Sequence, residues 1–346
     1  MELKKISFAS DNNSGIHPTI LHAIEQSNNG HCFAYGKDPI TQRGEMAIKK
    51  EFGQDTEVFF VFNGTGANVL AVKSVVRSWQ SVICAGISHL NEDECGAAEM
   101  AVGCKLIPLT EKNGKISVEQ IADHLTWLGD EHRAQPKLVS ITQPTEYGTL
   151  YTPEEINELA VFCKQNNLLL HMDGARIANA AVALSLSLRA STRDLGVDIL
   201  SFGGTKNGML MGEAVLFFTP GLTTETKYFR KQNMQLFSKM RFVGAQFDAY
   251  LNNNLWQHNA SHSNQMASIL FEQIKDVPNI QFPLPVQANA VFAIIPTLAI
   301  ERLQQEFPFY VFNEKTNLIR WMCSFDTQKE DVIHFASRIR ETMLSL

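Results

Sequence analysis

Residues 198–208, DILSFGGTKNG, join a short apolar run to a glycine-rich turn that carries a lysine. The apolar run predicts a buried strand. Glycines let the turn adopt left-handed backbone angles and let a bulky group approach the backbone. Lys206 is therefore suited to form a Schiff base, a reaction that needs a desolvated and reachable amine. Alone, the segment fits equally well a lysine that contacts a phosphate or lies exposed in a loop.

Residues 168–176, LLLHMDGAR, form a second apolar run, and this one ends in a carboxylate. The carboxyl ends of parallel strands bind ligands in such sheets, although a carboxylate there can also cap the next helix. Pyridoxal phosphate gives Asp173 a more specific role. Its ring is an electron sink only while the pyridine nitrogen keeps a proton, which a buried aspartate can hold. Asp173 and Lys206 lie one strand–helix unit apart, so both can reach one ring.

A third segment, residues 63–68 with the sequence NGTGAN, follows a predicted strand and opens a predicted helix. Helix N-termini bind anions through their free N–H groups and the helix dipole, so this turn can hold a phosphate. The turn lacks the lysine of a P-loop and the full glycine pattern of a dinucleotide site, which disfavours both of those classes. Each of the three segments is ambiguous alone, but together they fit pyridoxal 5'-phosphate.

Apolar runs alternate with amphipathic stretches over the first two thirds of the chain. Strands are predicted at 58–62, 81–85, 105–109, 137–142, 168–172, 198–202 and 214–218, and helices at 67–79, 117–128 and from residue 153. This alternation predicts an α/β fold with a mostly parallel seven-stranded sheet covered on both faces. We expect a large domain at 15–250 and a small α+β domain at 251–346 that includes the N-terminal arm, 1–14.

Composition excludes several classes of protein. With 346 residues, 45% hydrophobic and 19% charged, the chain is a folded globular protein of about two domains. A net charge of −6 argues against a nucleic-acid groove. The sequence has no apolar leader and no long apolar run, so we expect a cytoplasmic protein without contact to a membrane. The six cysteines lack close pairs and are expected to be reduced, and no metal site is predicted.

Seven stretches, in order along nearly the whole chain, resemble the threonine aldolase / β-eliminating lyase family, whose members have the fold type I of pyridoxal-phosphate enzymes. The stretches are FASDN at 8–12, AYG at 34–36, FNGT at 62–65, SH at 88–89 with Glu94, MDGAR at 172–176, FGGTKNG at 202–208 and RWMC at 320–323. Within the family, the chain is most similar to the low-specificity L-threonine aldolases.

The resemblance implies retro-aldol cleavage of L-threonine, L-allo-threonine and other β-hydroxy-α-amino acids to glycine and an aldehyde. Two alternatives remain open within the cofactor class, a β-eliminating lyase and an aminotransferase acting on another small amino acid. A third alternative is a protein that binds the cofactor without catalysis. Release of aldehyde without a 2-oxo acid distinguishes the aldolase from all three.

The resemblance also assigns the cofactor contacts. It implies that Lys206 carries the cofactor covalently and that Asp173 pairs with the pyridine nitrogen. It implies that the ring of His89 stacks on the cofactor and that Gly64 and Thr65 hold the phosphate.

Further residues are implied to act across a subunit interface. Lys231 and Arg241 match basic positions that reach the phosphate from a neighbouring subunit, and Tyr35 matches a residue contributed across the dimer interface. The resemblance therefore implies a homodimer or homotetramer with shared active sites.

The substrate is expected to be held through its carboxylate. Arg176 and Arg320 match the family's carboxylate-binding residues, with Ser10 beside them. Independently, Arg320 interrupts the apolar run NLIRWM at 317–322, and a buried arginine needs an anionic partner.

The general base is less well defined by the sequence. In the loop TQPTEYG at 142–148, Thr145 is placed where many relatives carry a histidine, and threonine is no base near neutral pH. His89, Glu94 or an ordered water are the candidates, and we favour a water positioned by His89.

Overall fold

The computed structural model describes residues 6–346, so the first five residues of the predicted N-terminal arm lie outside the described residues. Its large sheet contains β1 Glu57–Val61, β2 Gln80–Ala85, β3 Lys105–Leu109, β4 Gln135–Thr142, β5 Leu169–Gly174, β6 Ile199–Phe202 and β7 Glu213–Phe217. The spatial order is β1-β7-β6-β5-β4-β2-β3, and only β7 is antiparallel to its neighbours. The prediction of a mostly parallel seven-stranded sheet is confirmed.

A second, antiparallel sheet has the order β8-β10-β9 and lies in the C-terminal part of the chain. Its strands are β8 Ala290–Ile294, β9 Tyr310–Asn313 and β10 Leu318–Met322. The sequence did not indicate β9, because this edge strand buries none of its residues fully and shows no apolar run.

Thirteen helices occur among residues 6–346, several of them between successive strands. They are α1 Pro18–Gln26, α2 Pro39–Phe52, α3 Gly64–Val75, α4 His89–Glu92, α5 Ala97–Val102, α6 Val118–Asp123, α7 Pro153–Gln165, α8 Ile177–Ala183, α9 Thr226–Gln232, α10 Arg241–Leu251, α11 Leu255–Ile274, α12 Thr297–Gln304 and α13 Lys329–Leu344. None of the helices in the described part of the chain is long and apolar enough to cross a membrane.

Three predicted helix boundaries were wrong: the helix predicted at 67–79 ends at Val75, and local hydrogen bonds explain the other two. The helix predicted at 67–79 begins earlier, at Gly64, because the Asn63 side chain accepts from the Gly66 N–H and caps it. The helix predicted at 117–128 ends at Asp123, and the residues after it form tight turns with bonds between residues three apart.

The start of α7 follows its sequence signal closely. The Thr152 side chain accepts from the Glu155 N–H at 3.2 Å, and the Glu155 carboxylate accepts from the Thr152 N–H at 2.7 Å. This reciprocal capping box, with Pro153 at the first helical position, satisfies backbone donors that the helix itself cannot pair.

Two hydrophobic cores meet within α11. Ala260 belongs to the core around the large sheet, whereas Met266, two turns later, belongs to the core around the small sheet. Phe8 of the N-terminal arm joins this second core and stacks on Phe335 with ring centroids 4.3 Å apart. The division near residue 250 stays a prediction, and the change of core within α11 supports a boundary in this region.

The parallel strands place four loops at one edge of the large sheet. His89 follows β2, the loop at 142–148 follows β4, Asp173 ends β5, and Lys206 lies in the turn after β6. The carboxyl ends of neighbouring parallel strands form the usual ligand-binding edge of such a sheet.

Candidate active site

A cavity of about 910 Å³ opens at this edge of the large sheet, between it and the small sheet. Most of the predicted site residues line it. These are Ser10, Gly64, His89, Thr145, Asp173, Arg176, Lys206 and Arg320. Residues separated by more than three hundred positions therefore line one cavity.

Lys206 lies in a short 3₁₀ turn that its glycines make possible. A Cβ on Gly203 would lie 2.5 Å from the Ala175 carbonyl oxygen, so only glycine lets the two loops meet here. The Gly204 N–H donates to the buried Glu213 carboxylate at 3.0 Å, which fixes the turn. The positive charge of Arg176 and burial lower the pKa of Lys206, which favours the free amine. This is the state that a nucleophilic lysine needs.

Asp173 is held as a charged carboxylate. It accepts from Asn68 Nδ2 at 2.8 Å and from the Ala175 N–H at 3.0 Å. Burial pushes its pKa up, but the Asn68 hydrogen bond and the nearby Lys206 charge outweigh burial, so the pKa lies below its ordinary value. A buried anion of this kind suits a partner that carries a proton on a ring nitrogen.

His89 is connected to Asp173 through a chain of buried polar groups. Its Nδ1 lies 2.9 Å from Glu94 Oε1, and the same oxygen accepts from Asn68 Nδ2 at 2.8 Å. The hydrogen bond to Glu94 raises the pKa of His89, and burial raises the pKa of Glu94. Ligand atoms of His89, Glu94 and Asp173 lie within 4.8 Å of one another, a spacing that could also hold a metal ion. The Asn68 amide already bridges the two carboxylates, which disfavours that use.

The start of α3 forms an anion cradle. A Cβ on Gly64 would meet no atom within 4 Å, so open space lies beside the first turn of the helix, to which Gly64 and Thr65 belong. Helix N-termini leave their first N–H donors unpaired and bind phosphate readily. A Cβ on Gly66 would instead lie 2.4 Å from the side-chain amide of Gln235. Gln235 therefore packs directly against the helix at Gly66.

Arg176 and Arg320 differ in their hydrogen-bond partners within the chain. Arg176 donates Nε to Asp11 Oδ2 at 2.6 Å and Nη2 to Asp11 Oδ1 at 2.8 Å, so a buried carboxylate occupies its fork. Arg320 Nη2 donates to the Ala9 carbonyl at 3.2 Å, while its Nε is buried without a hydrogen-bond partner among residues 6–346.

The surroundings of Arg320 favour an incoming anion. Its guanidinium lies 5.7 Å from the ring centre of Tyr310 and 5.9 Å from that of Phe312. Burial and the charge of Arg176 lower the pKa of Arg320 to about 10, which still leaves it charged at neutral pH. A buried donor without a partner on a half-buried cation fits a substrate carboxylate, and Ser10 lines the same cavity.

Tyr35, Lys231 and Arg241 are not among the residues that line the cavity in a single chain. Lys231 Nζ lies 5.5 Å from the ring centre of Tyr35, and Arg241 donates to the Gly30 carbonyl at 3.2 Å. The structure thus groups Tyr35 with Lys231 at the surface.

Thr145 is tied into its own loop. Its Oγ1 lies 2.6 Å from Thr149 Oγ1, and Thr149 in turn donates to the Asn113 carbonyl at 2.6 Å. Since Thr149 uses its hydrogen there, the hydroxyl of Thr145 is the donor between the two threonines. Its hydroxyl therefore contributes to the shape of the loop.

The sequence reasoning missed three residues of the site: Asp11, Asn68 and Glu146. Asp11 and Asn68 stood inside motifs that were noted, but nothing in their spacing shows that each pairs with a side chain more than one hundred residues away. Glu146 directly follows Thr145, and only the fold shows that its carboxylate accepts from the His89 N–H at 2.8 Å and from Thr142 Oγ1 at 2.8 Å.

Burial raises the pKa of Glu146 from 4.5 to about 7. Between these pH values the folded chain binds a proton that the unfolded chain releases, so its stability falls as pH rises. The free energy of unfolding therefore decreases between pH 5 and pH 8. We expect this decrease to be smaller by roughly 3 kcal/mol in Glu146→Gln. Urea unfolding at pH 5 and pH 8 measures it, with the exposed Glu154→Gln as control. Parallel pH dependences for Glu146→Gln and the native chain would contradict the assignment.

The sheet topology, with a half-buried lysine and a buried aspartate at neighbouring strand ends beside an anion cradle, defines the chain as a fold type I enzyme, the class that uses pyridoxal phosphate. The family model described as beta-eliminating lyase matches residues 7–297. The chain therefore belongs to the beta-eliminating lyase family and is a lyase, and the family resemblance found in the sequence is confirmed.

Named relatives agree with this assignment. The chain is 42% identical to the low specificity L-threonine aldolase of a Pseudomonas species and 43% identical to that of Pseudomonas aeruginosa, each over 97% of both chains. It is 30% identical to the solved structure of Leishmania major threonine aldolase, with a TM-score of 0.92, covering 98% of this chain and 99% of that one. A Nostoc alanine–glyoxylate aminotransferase, at 13% identity and a TM-score of 0.72 over 99% of this chain and 96% of the other, shares the fold alone.

Proposed function

We propose that the chain cleaves L-threonine, L-allo-threonine and other β-hydroxy-α-amino acids to glycine and an aldehyde, with pyridoxal 5'-phosphate as cofactor. The observation that carries this proposal is one cavity that contains the amine of Lys206, the carboxylate of Asp173 and the unpaired donor of Arg320. The names of the relatives support the choice of reaction within the family.

Pyridoxal phosphate, when bound, supplies a conjugated ring that accepts the electron pair left at Cα when a bond breaks there. Lys206 would provide the amine for its covalent attachment, and Asp173 would hold a proton on the ring nitrogen. Gly64 and Thr65 would hold the phosphate, and His89 would lie beside the cofactor in the same cavity. Arg320 binds the substrate carboxylate and thereby selects Cα–Cβ as the bond that is cleaved.

A base must take the proton of the β-hydroxyl group. Thr145 is excluded from this role because its hydroxyl is a donor to Thr149 and is not basic near neutral pH. Since Nδ1 of His89 is bonded to Glu94, the other ring nitrogen, Nε2, is the one that can hold a water. We assign the base to a water that His89 positions.

The base assignment gives a prediction on two variants. His89→Asn is expected to lower the rate of acetaldehyde release about 10²-fold, because positioned proton transfer is lost. Thr145→Val removes the hydroxyl and keeps the size of the side chain. Its rate is expected to stay within about threefold of the native rate. Both rates are measured at equal cofactor content. Full activity in His89→Asn, together with a loss in Thr145→Val, would reverse the assignment.

We further propose a homodimer or homotetramer in which Tyr35, Lys231 and Arg241 complete the site of the partner. Phe33 and Met234, which are close to Tyr35 and Lys231 along the chain, are 78% and 86% exposed. Large exposed apolar side chains of this kind are typical of interaction surfaces. Light scattering of the purified protein measures the oligomeric state.

The cysteines favour a reducing, cytoplasmic setting, which we include in the proposal. All six cysteines, which lie between residues 32 and 323, are free. Burial raises the pKa of Cys84 and Cys104 to about 11, so these thiols are inert. Unpaired buried thiols are the rule in reducing compartments.

An aldehyde-release assay tests the function. L-threonine, L-allo-threonine, D-threonine and phenylserine are supplied without a 2-oxo acid, and aldehyde and glycine are quantified. We expect release from at least one L substrate in equal amounts with glycine. 2-Oxobutyrate formed from threonine would favour the β-eliminating lyase, and turnover only after a 2-oxo acid is added would favour the aminotransferase. A chain that binds the cofactor but releases nothing would support the binding protein.

A further inference from the structure

We propose that Glu213 is a positioning residue for Lys206. Its carboxylate holds the turn that carries the lysine, and its negative charge lets the Lys206 amine take up a proton inside the cavity. The proposal rests on the proposed function in one respect, because it takes Lys206 as the reactive amine of the site.

Glu213 is bonded to the residue on which the lysine turn is built. It is the first residue of β7 and is 6% exposed, and its Oε2 accepts from the Gly204 N–H at 3.0 Å. The Gly204 carbonyl in turn accepts from the Asn207 N–H at 3.0 Å and from the Met209 N–H at 3.2 Å. These bonds enclose Lys206, so the position of Gly204 determines the position of the lysine backbone.

Neutral groups hold the other end of the turn. Asn207 Nδ2 donates to the Tyr250 hydroxyl at 2.8 Å and to the Trp256 carbonyl at 2.9 Å. The Asn207 carbonyl accepts from Asn259 Nδ2 at 2.8 Å. A neutral amide side chain could accept from the Gly204 N–H in the same way. Because a buried carboxylate is costlier than a buried amide, its presence at position 213 indicates that the charge itself has a role.

The charges around Lys206 show what that role is. The positive charge of Arg176 and burial lower the pKa of Lys206. Three carboxylates act in the opposite direction, those of Asp11, Asp173 and Glu213. Asp11 is bonded to Arg176 through both oxygens, and Asp173 is the proposed partner of the ring nitrogen. Glu213 bonds to a neutral N–H, so its charge is left to favour the charged form of Lys206.

Glu213 changes its charge near neutral pH. Burial raises its pKa to about 7, the charge of Lys206 opposes this increase, and the charge of Asp173 adds to it. The Tyr250 phenol, on which the charge of Glu213 also acts, stays neutral because burial raises its pKa far above neutral pH. Below pH 7 Glu213 is therefore neutral, and its support of the charged amine is lost.

The test measures the reactivity of the Lys206 amine in the full chain without cofactor, by trace labelling with acetic anhydride and mass spectrometry. Glu213→Gln removes the charge and keeps an oxygen for the Gly204 N–H. At pH 8 its Lys206 is expected to react about three- to tenfold faster than native, because less of the amine is protonated. At pH 6 the two rates are expected to agree within about 1.5-fold, since native Glu213 is then neutral. His89 and Glu146 also have raised pKa values, but both chains contain them.

Glu57→Gln is the matched control. Glu57 is the exposed first residue of β1, the strand that pairs with β7, and its Oε2 accepts from Thr223 Oγ1 at 2.6 Å. It pairs in register with Phe217, at the end of β7 opposite to Glu213. This variant is expected to match the native chain at both pH values. Labelling of Lys275, at the surface, is the internal reference.

A second variant tests the hydrogen bond. Glu213→Leu leaves the buried Gly204 N–H without its acceptor, so the lysine turn is held less well. We expect its dissociation constant for pyridoxal 5'-phosphate, measured by visible absorbance, to be at least about fivefold larger than native. Glu213→Gln is expected to stay within about threefold of the native constant, because its amide oxygen replaces the carboxylate oxygen.

Three results overturn the proposal. The first is equal labelling of Lys206 at pH 8 in the native chain and Glu213→Gln. The second is a difference of the same size at pH 6 and pH 8, because a displaced turn and not a lost charge would then explain it. The third is native affinity for pyridoxal 5'-phosphate in Glu213→Leu.

If the Glu213 variants do not fold, the titration of Glu213 itself decides. Glu146→Gln removes the other glutamate whose pKa lies near 7, so ¹³C NMR of this chain follows the Glu213 carboxyl. Adding Lys206→Ala is expected to raise the midpoint of that titration by at least about half a pH unit, because the interaction of the two charges is reciprocal. An unchanged midpoint overturns the proposal.

Failure of the proposed function is recognised separately, because neither labelling nor cofactor titration depends on turnover. If the native enzyme releases no aldehyde but the labelling difference appears, the assigned reaction is wrong and the role of Glu213 is supported. If aldehyde is released and the labelling is equal, the role of Glu213 is wrong and the assigned reaction is supported.

Discussion

Replacement of Lys206 by alanine is expected to abolish both the visible absorbance of bound cofactor and the release of aldehyde from threonine. The variant removes the amine that attaches the cofactor, in a turn where the Arg176 charge and burial keep that amine available for reaction. The loss in rate is expected to be about 10³-fold or more, because a covalently held reactant becomes one that must bind from solution.

Absorbance spectra and aldehyde assays of Lys206→Ala measure this effect. Lys275→Ala is the control, because Lys275 is exposed at the end of α11 and pairs only with Glu272 one turn earlier. The control is expected to match the native chain in both measurements. If Lys206→Ala kept the absorbance band and the activity, the assignment of the cofactor site would be wrong.

The fold was largely predictable because its strands are continuous apolar runs. Strands β5 and β6 are almost wholly buried between helices, so their sequences carry no polar alternation and stand out. The site followed from the same pattern, since the polar residues that end such strands must gather at one edge. Asp173 and Lys206 were predicted as site residues in this way, and the structure places both on one cavity.

The pairings across the chain could not be predicted. Asp11 and Arg176 are separated by 165 positions, and whether a carboxylate already occupies the fork of an arginine depends on how three segments pack together. Periodicity describes which face of an element is buried but carries no information about such partners. The same limit explains why Asn68 was taken only as part of the anion cradle.

The partners of neighbouring loop residues could not be predicted from the sequence either. Thr145 and Glu146 are adjacent, yet one bonds to Thr149 within the loop and the other bonds to the backbone of His89 after a different strand. A loop has no fixed period, so the sequence cannot tell which of two adjacent side chains faces a partner.

Asp173→Asn is expected to lower aldehyde release about 10³-fold while the chain still folds and binds cofactor. Asparagine keeps the size of the side chain and an oxygen that can accept from Asn68, but it loses the negative charge that holds a proton on the ring nitrogen. Preorganised charge of this kind is the largest catalytic contribution of many active sites.

The same variant has an effect that is independent of turnover. The charge of Asp173 raises the pKa of both His89 and Glu94. Its removal is therefore expected to lower both pKa values. NMR titration of the His89 ring measures the first of them. Asp198→Asn is the control, because Asp198 accepts from the Leu170 N–H at 2.9 Å at the opposite end of β5. A native rate in Asp173→Asn, or an unshifted His89, would show that this carboxylate acts only as a cap for the turn after β5.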